Sequence, residues 1–282
     1  MSEPTSRRRT ARRSRALRIV LVATALYLAI AYLLLPSLWT HHEHHPAFEG
    51  LPKWSVTADG IPGDPVNVAL IGTEAEVIGA FERAGWRQPA ALGLRSDIGI
   101  GASVLLDRPD PTAPVSSLFV FGRKQDLAFE RESGHSAKQR NHVRFWRDEK
   151  AGDGERPLWL GAATFDRGVG VSHRTGQITH HIAPDIDSER NRVMAALAAA
   201  GQLTVEYRVS GVGPTLDGRN GGGDRYFTDG EIDVGVLTPA GHVHEGPPER
   251  LASPPAVAIK DWFWTQARPV LGGVLESSLS ED

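Results

Sequence analysis

Twenty-two consecutive residues without a charged side chain, Ile19 to Thr40, constrain this chain more than any other feature. As a helix they would span about 33 Å, which matches the roughly 30 Å hydrocarbon core of a bilayer. Tyr32 and Trp39 fall toward the outer end, where amphipathic rings prefer the headgroup layer. A cleaved signal peptide is the competing reading, because Ala29 and Ala31 form an A-x-A pattern. However, Tyr32, Leu33, Leu34 and Leu35 carry the apolar run past that pattern, and the run outlasts an ordinary signal core. An uncleaved anchor is the expectation. Seven Arg and one Glu precede Ile19. By the positive-inside rule they hold residues 1–18 in the cytoplasm and send the rest across. The expected topology is single-pass, with the main domain outside the cytoplasm.

The net charge of −3 hides an asymmetry. Beyond residue 18, 24 basic side chains face 33 acidic ones. An acidic body excludes general nucleic-acid binding, which needs a basic face. The bilayer and other envelope membrane proteins remain as partners. The chain has no cysteine, which excludes thiolate nucleophiles, iron–sulfur clusters and disulfides.

Residues 41–62 read as a neck. His41, His42, His44 and His45 surround Glu43 there, as a solvated run or a metal-binding one; the solvated run is the expectation. The body spans 63–240, and 241–282 forms a Pro-rich linker with an aromatic tail. Val66 to Ile71 reads as a buried strand. Thr73 to Trp86 reads as a helix, with a capping box from Thr73 and Glu76 and a stop at Gly85. Strands follow at 117–121, 142–147 and 158–165, then a hairpin over 169–182. A second helix runs from Asp185 to Ala200 and stops at Gly201. Strands at 203–209, 226–227 and 232–237 complete the body. This order predicts an α+β fold, a mainly antiparallel sheet with two principal helices packed on it, preceded by one N-terminal transmembrane helix. A short final helix over 260–275 carries Trp262, Phe263 and Trp264, which pack on the domain or touch the membrane.

Three stretches combine polar density with apolar surroundings: 121–130 with Arg140 and His142, then 165–187, then 213–234. If Thr175 and Gly176 form a two-residue turn, His173 and His180 become diagonal neighbours on one sheet face, roughly 7–8 Å apart. His181 points the other way. Imidazoles and carboxylates are the usual divalent-metal and acid–base groups. His173, His180 and Asp185 are therefore the catalytic candidates, with Asp166 as an alternative helper. The third stretch holds Asp217, Asn220, Gly221, Gly222, Gly223, Asp224 and Asp229. Clustered carboxylates suit a divalent metal, which makes Asp217, Asp224 and Asp229 metal candidates. Arg123, Lys124, Arg167 and Arg219 are candidate anion holders. Together with Asn220 and the three glycines they make up the ligand-binding set.

The blocks GDPVNVALIGTEAEVIGAFERAGW, FGRKQDLAFE, HVRFW, LWLGAATFDRGVG, ITHHIAPDID and GRNGGGDRYFTDGEI resemble the LssY-like C-terminal domain family over about residues 63–240. The resemblance implies a bacterial membrane setting, where the domain often follows a DedA-type or phosphatidic acid phosphatase module. It implies no reaction. This chain lacks the multi-span phosphatase module. Its Lys124/Arg131 and Ser133-Gly134-His135 fragments depart from that enzyme's motifs at Glu132. Two functions follow: an accessory domain recognising an envelope ligand or partner, and a metal-assisted hydrolase of a lipid or envelope phosphoester.

Overall fold

The computed structural model describes residues 4–34, 48, 50–89, 118–133, 139–153, 156–171, 178–214 and 216–279. Two compact units divide the chain near His41 and His42. The first is helix α1, Pro4–Ala29, continued by a wider turn over Ile30–Leu34. Its part from Arg15 to Leu34 is long and apolar enough to cross a membrane. The helix begins earlier than expected and takes in the arginine cluster. Proline suits a first helical position, and arginine is a strong helix former. Residues 35–40, the rest of the expected span, lie outside the described residues, as do the neck histidines.

The second unit is built on an eight-stranded mixed sheet. Its strands are β3 (Val68–Ile71), β6 (Leu127–Glu132), β7 (Arg140–Asp153), β8 (Arg156–Val171), β9 (Ile178–Ile182), β10 (Leu203–Ser210), β13 (Glu231–Leu237) and β14 (Glu249–Arg250). They lie in the order β14-β10-β13-β3-β8-β7-β6, and β9 pairs with β8 beyond the end of β3. The β13–β3 and β10–β14 pairs are parallel and the others antiparallel. Asn67 closes the gap where β3 stops: its amide exchanges two 2.9 Å hydrogen bonds with the backbone of Ala163.

Helices α2 (Glu74–Arg83) and α3 (Ile186–Ala199) pack together on one face. The capping box of α2 is present, and Gly85 ends the helix at φ +77°. The Trp86 N–H donates back to the Phe81 carbonyl at 2.9 Å, a 6→1 closure that also brings the two rings together. The core under these helices includes Phe81, Phe129, Val143, Phe145, Val193 and Leu197.

A smaller sheet covers part of the opposite face. It runs β2 (Pro62–Pro65), β1 (Trp54–Val56), β4 (Phe119–Val120) and β5 (Arg123–Lys124). Leu118 and Val120 pack there on Trp146 and Ala162. Phe48 is buried and β1 is formed, so ordered structure reaches into the stretch read as neck. A ribbon of β11 (Leu216–Arg219) and β12 (Arg225–Thr228) carries the Gly-rich turn. The last helix, α4, runs Pro255–Leu279, longer than expected, and buries Val257, Lys260 and Trp264.

Candidate functional site

Side chains two apart on a strand share a face. On β7 that places Arg140, His142, Arg144 and Trp146 on the face that meets the small sheet. Asp166 of β8 pairs directly with Arg140 on one side and with Ile182 on the other. His142 and His180 each stand two residues from those partners. Three adjacent strands therefore point His142, Asp166 and His180 at one spot.

Their ligand atoms all lie within 4.8 Å of one another. His142 Nε2 is 2.9 Å, and His180 Nδ1 2.5 Å, from the same oxygen, Asp166 Oδ2. The side chain of His142 is 3% exposed, that of Asp166 8% and that of His180 36%. Neither ring nitrogen of His142 makes a hydrogen bond among the described residues, despite its burial and the short approach to Asp166. A lone pair facing a carboxylate oxygen is repulsive unless a proton or a metal ion lies between them. Burial works to raise the Asp166 carboxyl, but the two imidazoles outweigh it and hold the group well below the usual carboxylate range. The cluster thus needs a proton or a metal ion between these atoms. Two imidazoles and a carboxylate are a ligand set for zinc and related divalent ions.

Asp64 of β2 lies alongside and accepts from Arg144 at 2.8 Å. Burial raises its carboxyl; Arg144 and His142 oppose the shift, and Asp166 and Asp224 add to it. The Gly-rich turn meets the same hairpin arm. Asp224 Oδ1 is 2.6 Å from His181 Nδ1, and Asp224 Oδ2 accepts from the Ile182 N–H at 3.1 Å. Asn220 receives the Asp224 N–H at 2.9 Å, and Arg219 donates to the Gly223 carbonyl at 2.7 Å. Gly223 sits at φ +93°, where side chains are disfavoured. Gly170 leaves room for the His181 ring: a Cβ there would lie 2.5 Å from His181 Nε2.

The other sequence candidates lie elsewhere. Asp185 caps α3 and takes both arms of Arg268 at 2.9 Å. It lines a separate cleft of about 580 Å³ with Arg167, Glu189 and Arg192. Arg167 Nε donates to the Ile182 carbonyl. Asp229 is held by both nitrogens of Arg190 at 2.7 and 2.8 Å, deep beneath α4. Asp217 is exposed and 3.3 Å from Arg225. Arg123 bonds Asp126 and the Arg147 carbonyl, and Lys124 is exposed beside it. Gly221 packs against the start of β2, where a Cβ would meet the Pro62 carbonyl at 3.1 Å. Gly222 lies between it and Gly223 in the same turn. His173 lies outside the described residues.

The hairpin register accounts for much of this. Val171 pairs with Ile178, and Val169 with His180. That is two residues from the expected register, so residues 172–177 form the connection. A shift of two keeps each side chain on its face. His180 therefore still points where alternation put it, but its described neighbours are His142 and Asp166. The signal for His142 was the alternation of Arg140, His142 and Arg144. The pairing of β7 with β8 was not evident.

Fold and site define a mixed α+β domain with a His-Asp-His cluster on one sheet face, in a chain that carries one apolar helix fit for a membrane anchor. The chain belongs to the LssY C-terminus family, which it matches over residues 48–232. No curated protein and no solved structure matches it.

Proposed function

We propose that this chain is a membrane-anchored, metal-dependent hydrolase domain whose ion is held by His142, Asp166 and His180. The observation that carries the reading is the cluster itself. Three ligating atoms from three adjacent strands converge, neither nitrogen of the buried His142 imidazole makes a hydrogen bond among the described residues, and the third ligand, His180, is the most exposed of the three. Three protein ligands with one open side is the arrangement of catalytic rather than structural zinc. A bound divalent ion would supply Lewis acidity and a water acidic enough to attack at neutral pH. The chain's own part is to fix the ligands. β7 and β8 hold His142 and Asp166 rigidly, and Asp64 and Arg144 set the charge beside them. Anchored through α1, with its arginines in the cytoplasm, the body stands outside and meets envelope substrates. A phosphoester, in a lipid or elsewhere in the envelope, is the substrate class.

The test uses the full chain in detergent, stripped with chelator and reloaded with zinc or manganese. Bis(p-nitrophenyl) phosphate is the probe. Turnover that returns with metal and falls by more than about 100-fold in His180→Gln is expected, because outer-shell changes alone cost 10–100-fold. Metal uptake without turnover on this or a monoester probe would overturn the hydrolytic step and leave a binding module.

A further inference from the structure

Helix α4 is inverted relative to an ordinary surface helix. Its charges between 258 and 273 turn inward: Lys260 meets Glu231 at 2.6 Å beneath the helix, Asp261 is half-buried and Arg268 holds Asp185. All ten exposed positions in that range are uncharged. Four of them, Ile259, Trp262, Phe263 and Val270, are large, and each is about half exposed or more. They recur at helical spacing and so form one stripe. The three aromatics divide their roles. Trp264 is buried against Phe227 and donates to Asp187, whereas Trp262 and Phe263 stack edge-on in the open. A solvated helix shows charge on its outer face, so an uncharged, aromatic outer face marks a contact surface.

The length of chain ahead of the body says what covers it. Only fourteen peptide steps separate Leu34, the end of the candidate membrane helix, from Phe48 in the body's core. Fully extended, that segment reaches about 50 Å. On the reading of α1 as an anchor, the body can never leave the neighbourhood of the lipid surface. Tryptophan and phenylalanine on an uncharged helix face suit the headgroup layer.

We propose that the outward face of α4, at Ile259, Trp262, Phe263 and Val270, lies in the headgroup layer of the bilayer that holds α1. Docking turns a loosely tethered body into one of fixed orientation. With no charge on the contact face, the docking is insensitive to salt.

The chain has no cysteine, so single labels are clean. Phe263→Cys, Gln266→Cys and, as an aqueous control, His242→Cys are spin-labelled in the full chain and placed in phosphatidylcholine nanodiscs. Relaxation by oxygen is compared with relaxation by a water-soluble chromium complex. The oxygen-to-chromium ratio at 263 and 266 should exceed that at 242 several-fold. Adding Trp262→Ser to the 266 label should bring that ratio down to the control's level. Labels at 263 and 266 as wet as 242 would overturn docking. Dipolar broadening at 263 that vanishes on dilution with unlabelled protein would overturn it in favour of a second copy. Alkaline carbonate extraction of cell membranes separates the two readings. Chain released by carbonate overturns the anchor and docking together, whereas retained chain with wet labels overturns docking alone.

Discussion

Asp166 and Glu189 are both buried acids, and they behave in opposite ways. Two imidazoles face Asp166 and keep it ionised. Glu189, 1% exposed, has one oxygen on Arg192 at 2.8 Å and the other unpartnered among the described residues. Burial, opposed by Arg192, pushes its carboxyl from 4.5 up to about 7. The folded chain therefore holds a proton there that the unfolded chain has lost. Stability from this group is full below about pH 4.5 and drains away as pH rises toward 7, by roughly 1–3 kcal/mol. Thermal melts of the full chain in detergent between pH 5 and 8 should show this fall, and Glu189→Gln should flatten it. A variant melting with the wild-type slope would contradict the assignment. The helix expected from Asp185 forms as α3, and Asp187 and Glu189 lie in its first turn, where acids suit the helix dipole. The sequence alone does not show which acid is buried, because burial depends on β8 lying beneath the helix.

At the scale of elements, local chemistry was legible and long-range pairing was not. Thr73, Glu76 and Gly85 mark the ends of α2 within the sequence itself. So do Asp185 and Gly201 for α3. In contrast, β6 runs Leu127–Glu132 through residues whose charges read as a binding stretch. Glu130 is buried there only because Arg87 and Arg140 reach it from elsewhere. Asp229 is a further case. Its place in a Gly-rich acidic run suggested a metal ligand, but Arg190 of α3 meets it with two hydrogen bonds. Beneath α4, Asp187, Asp229, Glu231 and Asp233 share Arg190, Arg208 and Lys260. Burial and Asp229 raise Glu231 to about 8 and Asp187 to about 6. Removing one partner strands a buried charge, at a typical cost of 3–5 kcal/mol. Asp229→Ala should lose about that much in denaturant unfolding, roughly 3–5 kcal/mol, with no loss of bound metal from the folded fraction. A loss under about 1 kcal/mol would mean that the network is not a structural lock.

The whole molecule combines an apolar helix flanked by arginines with an acidic, cysteine-free body. Composition carried that much. Where the site lies followed only from the pairing of strands: β9 extends the edge that β3 leaves, and the registers of the consecutive strands β7, β8 and β9 set Asp166 between His142 and His180. The most direct measurement is the metal content of the purified full chain by elemental analysis. His41, His42, His44 and His45 should first be changed to Asn, so that the neck contributes nothing, and no affinity tag of histidines should be used. About one divalent ion per chain is expected. The ion should persist in Asp217→Ala and be absent from folded His142→Ala/His180→Ala. A chain that takes up no ion from metal-supplemented medium, or a double variant that keeps its ion, would contradict the assignment of His142, Asp166 and His180 as a metal site.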